Sequence, residues 1–150
     1  MIRWITSLLC AALWTVAVPA HAQKIPVEVT HSGRDNIGRQ FAFEVRDALR
    51  GSNSFRVVEG ESKEPRIVVS VVSLSVDDTD NRSSALSISK IVDAHTIPVN
   101  GIYITSGVRI VGVNRVKTSA GALPGEIDEA VDFLRSKWPA VYKMLVPSSQ

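Results

Sequence analysis

Apolar and polar residues alternate along residues 24–31, with Ile25, Val27 and Val29 on one face. A period of two is typical of a half-buried β-strand. Pro26 has no backbone N–H to donate, so this strand is predicted to lie at a sheet edge or to begin there.

The apolar period lengthens to four over residues 34–50, which predicts an amphipathic helix. Ser32 followed by Asp35 resembles a capping box at its start, and Gly51 fits a left-handed stop at its end. The residues that form its apolar stripe are Ile37, Phe41, Val45 and Leu49.

A second helix is predicted from about Gly125, because Pro124 suits a first helical turn and an apolar face follows it. Pro139 lacks the N–H that a helix needs, so the helix is expected to kink or end near Trp138. Residues 140–146 can add two further turns.

Four more strands are predicted between the two helices, over residues 54–59, 66–76, 83–92 and 102–113. Residues 67–72 are nearly all β-branched and apolar, which predicts a central strand covered on both faces. In the last strand Ile102, Ile104, Val108 and Ile110 are in phase, and Gly107 and Gly112 suggest bulges.

The order β-α-β-β-β-β-α predicts an α+β domain. We expect a mainly antiparallel sheet of four to five strands with two helices on one face.

Residues 1–22 have the three parts of a secretory signal peptide: Arg3 at the start, an apolar stretch over residues 5–18, and the small residues Ala20 and Ala22 around a cleavage site. About 14 apolar residues are too few for a membrane span, which needs roughly 20. We therefore expect export to the periplasm or secretion, and a mature domain over residues 23–150 that does not span a membrane.

Removal of the leader takes away Cys10, the only cysteine, together with one basic and no acidic residue. The mature domain then has no thiol, which excludes disulfides, thiol catalysis and cysteine metal sites. It keeps 16 basic and 15 acidic side chains. This balance argues against nucleic-acid binding, which needs a concentrated basic face.

The helix over residues 41–49, the strands over residues 54–58, 66–73 and 102–108, and the helical stretch at residues 129–131 resemble a family of small exported bacterial proteins of uncharacterised function. This resemblance carries over no catalytic residue. At the level of the fold, the helix-then-sheet order is also similar to the N-terminal domain of the periplasmic Tol translocation protein B, an envelope interaction module.

Two clusters have the residue types of known catalytic or metal sites, but with the wrong spacing. The oxygen-rich segment around Asp77 and Asp78 lacks the glycine and glutamate of a calcium loop, so a charged hairpin turn is predicted. Ser87 and Lys90 have the spacing used by penicillin-recognising enzymes. They lie on a predicted strand, where residues three apart point to opposite faces.

Asp93 and His95 can share a face of an extended segment, where the carboxylate would orient the imidazole for a nearby serine. A surface histidine is the simpler interpretation, and His31 is expected to be structural or solvent-facing. Two histidines without a third ligand make a weak metal site. We predict no catalytic residue, no metal ligand and no cofactor.

The candidate binding residues are Tyr103, Thr105 and Arg109. If Ile102 and Ile104 point inward, Tyr103, Arg109 and Arg115 stand on the sheet face opposite the helices, with Gly107 leaving a shallow groove between them.

These features favour a non-enzymatic domain that binds an envelope protein or a small ligand through the exposed sheet face or its rim. One alternative is a small serine-dependent hydrolase of the cell envelope. Another is an inhibitor that inserts the loop of residues 93–101 into a foreign enzyme. The oligomeric state and the partner stay open.

Overall fold

The computed structural model describes residues 23–60, 62–77, 82–94 and 101–146. Its strands are β1 (Ile25–Ser32), β2 (Phe55–Val57), β3 (Arg66–Ser75), β4 (Ser83–Asp93) and β5 (Ile102–Gly112). Its helices are α1 (Asn36–Arg50), α2 (Val116–Gly121), α3 (Leu123–Lys137) and α4 (Pro139–Leu145), and a 3-10 turn, Val113–Arg115, joins β5 to α2. The leader lies outside the described residues, so its cleavage stays a prediction.

The strands form one mixed sheet with the spatial order β2-β1-β3-β4-β5. β1 pairs in parallel with both β2 and β3, whereas β3, β4 and β5 pair antiparallel in succession. The α+β class is confirmed. The expectation of a mainly antiparallel sheet holds for the half formed by β3 to β5 and is wrong for both pairings of β1.

The parallel pairings follow from the position of β1 between β2 and β3. Helix α1 carries the chain back to the start of β1, so that β2 runs beside it in the same direction. β2 pairs with Ile25, Pro26 and Val27, and β3 pairs with β1 from Val27 to Ser32 on its other side. The turn between β2 and β3 therefore does not make a hairpin.

Helix α1 begins at a different cap from the predicted one. Asp35 is the N-cap, and its Oδ1 accepts a 2.6 Å hydrogen bond from the N–H of Gly38. Ser32 is instead the last residue of β1. Gly51 ends the helix with φ −73°, a right-handed conformation rather than the expected left-handed one. The predicted break at Pro139 is confirmed, since α3 ends at Lys137 and α4 begins with Pro139.

The hydrophobic core lies between one sheet face and the helices. The sheet residues that are fully buried there include Val27, Ile67, Val69, Val71, Leu86 and Val92, and the helices supply Phe41, Val45, Leu49, Ile127 and Leu134. The alternation along residues 83–92 predicts that Leu86, Ile88 and Val92 point inward, and all three are buried in β4. β3 is central, but its second face is uncovered, because Val72 is 50% and Leu74 73% exposed. Within the described residues, no helix is both long and apolar enough to cross a bilayer.

Candidate functional site

A β-bulge in β5 decides which face each predicted binding residue occupies. Arg109 pairs with Leu86, and Thr105 pairs with Lys90, so both lie on the helix side of the sheet. The register then shifts between Lys90 and Ile91, and Tyr103 pairs with Ile91 on the opposite face. Such a shift adds one residue to a strand and reverses the alternation beyond it.

The predicted grouping of Tyr103, Arg109 and Arg115 on one open face is therefore wrong. Tyr103 is on the open face, where its hydroxyl lies 2.7 Å from Ser106 Oγ. Arg109 and Gly107 are on the helix side, and Arg115 belongs to the 3-10 turn after β5. Val108 and Ile110, expected to point inward, are 78% and 70% exposed.

Arg109 and Lys90 share one carboxylate partner, Glu126, between β5 and α3. Arg109 Nη2 donates to both carboxylate oxygens of Glu126, at 2.8 and 3.0 Å. Lys90 Nζ donates to Glu126 Oε2 at 3.2 Å. One carboxylate from α3 thus holds two cations, one from β4 and one from β5. We call these three residues the charged triad.

The charged triad lies in a cavity of about 560 Å³, lined also by Thr105, Gly107 and the side of α3 that carries Ala130 and Phe133. The absence of a side chain at Gly107 leaves this part of the cavity open, since a Cβ there would have no neighbour within 4 Å. The cavity therefore combines a charged end with an apolar wall.

The electrostatics of Glu126 reflect its two partners. Burial alone would raise the pKa of this carboxyl, but hydrogen bonds and charge from Arg109 and Lys90 outweigh burial and lower it. The carboxylate is therefore ionised at neutral pH, and the charged triad carries a net charge of +1.

A second cavity, of about 510 Å³, lies where the start of β5 faces the end of α3 and the first residues of α4, and it is lined by Ile102 and Trp138. The Trp138 ring contacts Phe133 of the first cavity edge to face, with centroids 5.7 Å apart. These rings are 40% and 44% exposed. We call these two cavities together the β5–α3 groove, although they share no lining residue. Its cationic end lies near Arg109 and its aromatic end near Trp138.

A second polar cluster lies where β1, the start of α1 and β3 meet. His31 Nε2 is 2.8 Å from Ser73 Oγ, and Asp35 is close by. Burial would raise the pKa of Asp35, but nearby hydroxyls of Ser73 and Ser84 and the Gly38 N–H lower it. Burial lowers the pKa of His31, against the opposing charge of Asp35.

This serine and histidine do not form an accessible nucleophilic site. Ser73 is 6% exposed, and the backbones of Gly33 and Gly38 close over it so tightly that a Cβ on either would overlap its side chain. Among the described residues, the Asp35 carboxylate accepts a hydrogen bond from the Gly38 N–H and none from the imidazole, so it does not orient a base. The cluster joins three elements of the fold.

The other candidates from the sequence separate as follows. Ser87 and Lys90 point to opposite faces of β4, as expected. His95 and residues 78–81 lie outside the described residues, while Asp77 accepts a 2.7 Å hydrogen bond from Ser83 Oγ. No group of three or more potential metal ligands occurs within the described ranges.

Sequence reasoning missed Glu126 and the role of Lys90. The available signal was Lys90 itself, a charged residue at an inward position of the otherwise apolar series Leu86, Ile88 and Val92. A lysine in such a position implies a partner carboxylate or a cavity.

The fold and groove together define a small α+β domain with a long exposed sheet edge. No protein-family model and no curated protein matches the chain. Solved structures do match, at 6% to 12% identity.

TolB from Acinetobacter baumannii matches with 11% identity and a TM-score of 0.49, over 75% of this chain and 30% of that one. A dodecameric PelC variant from Paraburkholderia phytofirmans has 12% identity and a TM-score of 0.43, over 74% of this chain and 89% of that one. A minor lipoprotein from Acinetobacter baumannii has 6% identity and a TM-score of 0.31, over 85% of this chain and 98% of that one.

The expected fold-level resemblance to Tol translocation protein B is confirmed, and the chain spans under a third of that protein. At these identities the likeness concerns the fold alone.

Proposed function

We propose that this chain is an exported, non-enzymatic domain of the cell envelope that binds a carboxylate-bearing ligand in the β5–α3 groove. One observation carries the proposal: the side chain of Lys90 is only 7% exposed, yet its one carboxylate partner among the described residues is shared with Arg109. Burying a cation is costly unless it is fully paired. The charged triad therefore favours a second anion.

The donors for that anion are in place. Among the described residues, the hydrogen bonds of Arg109 use Nη2, which leaves Nε and Nη1 for a ligand. Lys90 has three N–H donors and gives one to Glu126. Thr105 lines the same cavity. A carboxylate suits this set because a guanidinium binds it with two parallel hydrogen bonds.

The charge of Glu129 does not cancel this preference. Glu129 also lines the cavity, one helical turn after Glu126, but it is exposed to solvent. Water and salt screen an exposed charge more than a buried one. The apolar wall formed by Ile104, Ala130 and Phe133 favours a ligand whose carboxylate is attached to an apolar body.

The hydrolase alternative has less support. Ser73 is 6% exposed, and the described hydrogen bonds of Asp35 do not include the imidazole of His31, so the cluster lacks the oriented base that such a hydrolase needs. The inhibitor alternative depends on a loop that lies largely outside the described residues.

Amide chemical shifts test the proposal. Phenylacetate should shift the amides of Thr105, Gly107 and Arg109, and neutral phenylacetamide at the same concentration should not. Arg109→Gln should abolish the shifts, whereas Arg115→Gln, a matched change of an exposed arginine outside the groove, should leave them intact. Equal shifts with both compounds, or none with either at millimolar concentration, would contradict carboxylate binding.

A further inference from the structure

We infer that the occupant of the β5–α3 groove is an extended segment of another protein, which adds to β5 as a sixth strand and places an acidic side chain against Arg109. The inference rests on the proposed function, because the same charged triad receives the acidic group. It adds the class of ligand and the way the backbone is held.

The first step is the difference between the two sheet edges. β2 is the edge beside β1 and has three residues, whereas β5 forms the opposite edge with 11 residues. Among the described residues, β5 pairs with β4 alone. A long edge strand presents a row of backbone N–H and C=O groups for another strand, and proteins usually shorten or cover such edges.

A bulge or a charged residue can protect a sheet edge from pairing. β5 has both, but neither protects its edge here. The bulge lies at Ile104, so residues 105–112 remain in regular register with β4 over eight residues. The charge of Arg109 is directed to Glu126 on the helix side rather than across the edge. A strand of about five to six residues, the common length, therefore fits beside this stretch.

The second step is the position of α3. Glu126, near its start, meets Arg109 toward the end of β5, while Trp138, just after its end, lines a cavity with Ile102 at the start of β5. Helix and strand thus run side by side in opposite directions, and the groove follows the edge. A strand added about 4.8 Å from β5 would project every second side chain into it.

The third step is the chemistry of the two faces of the added strand. Its groove-side residues would meet the cations Arg109 and Lys90 at one end and Trp138 at the other, which fits an acidic residue followed by an apolar or aromatic one. Its other residues would lie beside Val108 and Ile110 on the open face, which favours apolar side chains. Backbone pairing with alternate side-chain pockets is the usual mode of strand addition.

Charge also argues against a second copy of this chain as the added strand. The helix-side residues of its β5 are Ile102, Thr105, Gly107, Arg109 and Val111, so pairing of two β5 edges would add a second arginine to this side of the sheet and supply no carboxylate. Like charges that face each other across strands are destabilising. The partner is therefore a different segment, with alternating acidic and apolar residues.

The test uses the capped peptide Val-Thr-Val-Glu-Val-Trp-Val-Thr, which has its glutamate and its aromatic residue on one face, and a control of the same composition, Val-Thr-Glu-Val-Val-Trp-Val-Thr, which has them on opposite faces. Moving the glutamate by one position turns it to the other face of the strand. We expect the control to bind at least about tenfold more weakly. Arg109→Gln should cause a similar loss, Lys90→Met should repeat it if the first variant is unstable, and Arg115→Gln should have no effect.

Hydrogen exchange separates strand addition from simple carboxylate binding. We expect the first peptide to slow exchange at every second amide of residues 105–112 by about tenfold or more. Binding without this protection would overturn strand addition, while phenylacetate shifts would still support the proposed function. Strand addition would also be overturned if neither peptide bound, or if both bound equally. It would be overturned as well if the protection of β5 increased with protein concentration in the absence of peptide. Protection that persists in Arg109→Gln would instead contradict the role of the acidic side chain.

Discussion

Replacing Glu126 by glutamine tests whether the charged triad is as coupled as its geometry indicates. Glutamine keeps the shape but removes the charge that holds Lys90 Nζ at 3.2 Å and Arg109 Nη2 at 2.8 Å. Breaking a fully buried ion pair costs roughly 3–5 kcal/mol. The side chain of Glu126 is 32% exposed, so solvent screens part of this interaction. We therefore expect a loss of about 2 kcal/mol in the free energy of unfolding.

Urea denaturation measures this loss, with Glu129→Gln as the matched control on the next turn of α3. The control is expected to stay within about 0.5 kcal/mol of the parent. Lys90→Met removes the buried cation, so it should be neutral or stabilising, and in that background Glu126→Gln should cost clearly less. If Glu126→Gln behaves like Glu129→Gln, or costs the same with and without Lys90, the coupling inferred for the triad is wrong.

Three further predictions concern the polar cluster at the start of α1. Gly38→Ala should destabilise the protein by about 2 kcal/mol in urea denaturation, because the added Cβ would overlap Ser73. Gly125→Ala is the control, since there is open space around Gly125, and it should be neutral or stabilise the protein by up to about 1 kcal/mol. Asp35→Ala should cost about 1 kcal/mol through loss of the helix cap, and Asp35→Asn should cost less. Burial lowers the pKa of His31 below its usual value of 6.5, so below about that pH the unfolded chain binds more protons than the folded protein. The free energy of unfolding should therefore decrease as the pH is lowered through this range. His31→Gln should remove this part of the pH dependence in a series of denaturation experiments.

The elements that depend on local patterns were predictable from the sequence. The stripe of α1, the inward positions of β4 and the break at Pro139 all follow from periodicity or from the chemistry of proline, and the structure has them at nearly the expected residues. The central position of β3 was also predictable, since a β-branched run fits the middle of a sheet. These features depend on residues that are close together in the sequence.

The features that decide the candidate site are not local. The bulge at Ile104 depends on how β5 meets β4, whereas the sequence suggests bulges at Gly107 and Gly112 and keeps Ile102 and Ile104 in phase with Val108 and Ile110. One added residue places Arg109 on the helix side and Tyr103 on the open face. The parallel pairing of β1 depends likewise on residues far apart in the chain, which alternation within one strand cannot report.

The position of Lys90 connects the stability of this fold to its proposed function. An apolar side chain of similar length would fill the same inward position of β4 without the cost of burying a charge, and such replacements are often neutral or stabilising. The packing of the core therefore does not account for a lysine there. Lys90 lines a cavity beside β5, the long edge strand, together with a second cation that shares its carboxylate. Both the charge and its placement are explained if an acidic side chain from an added strand completes the site.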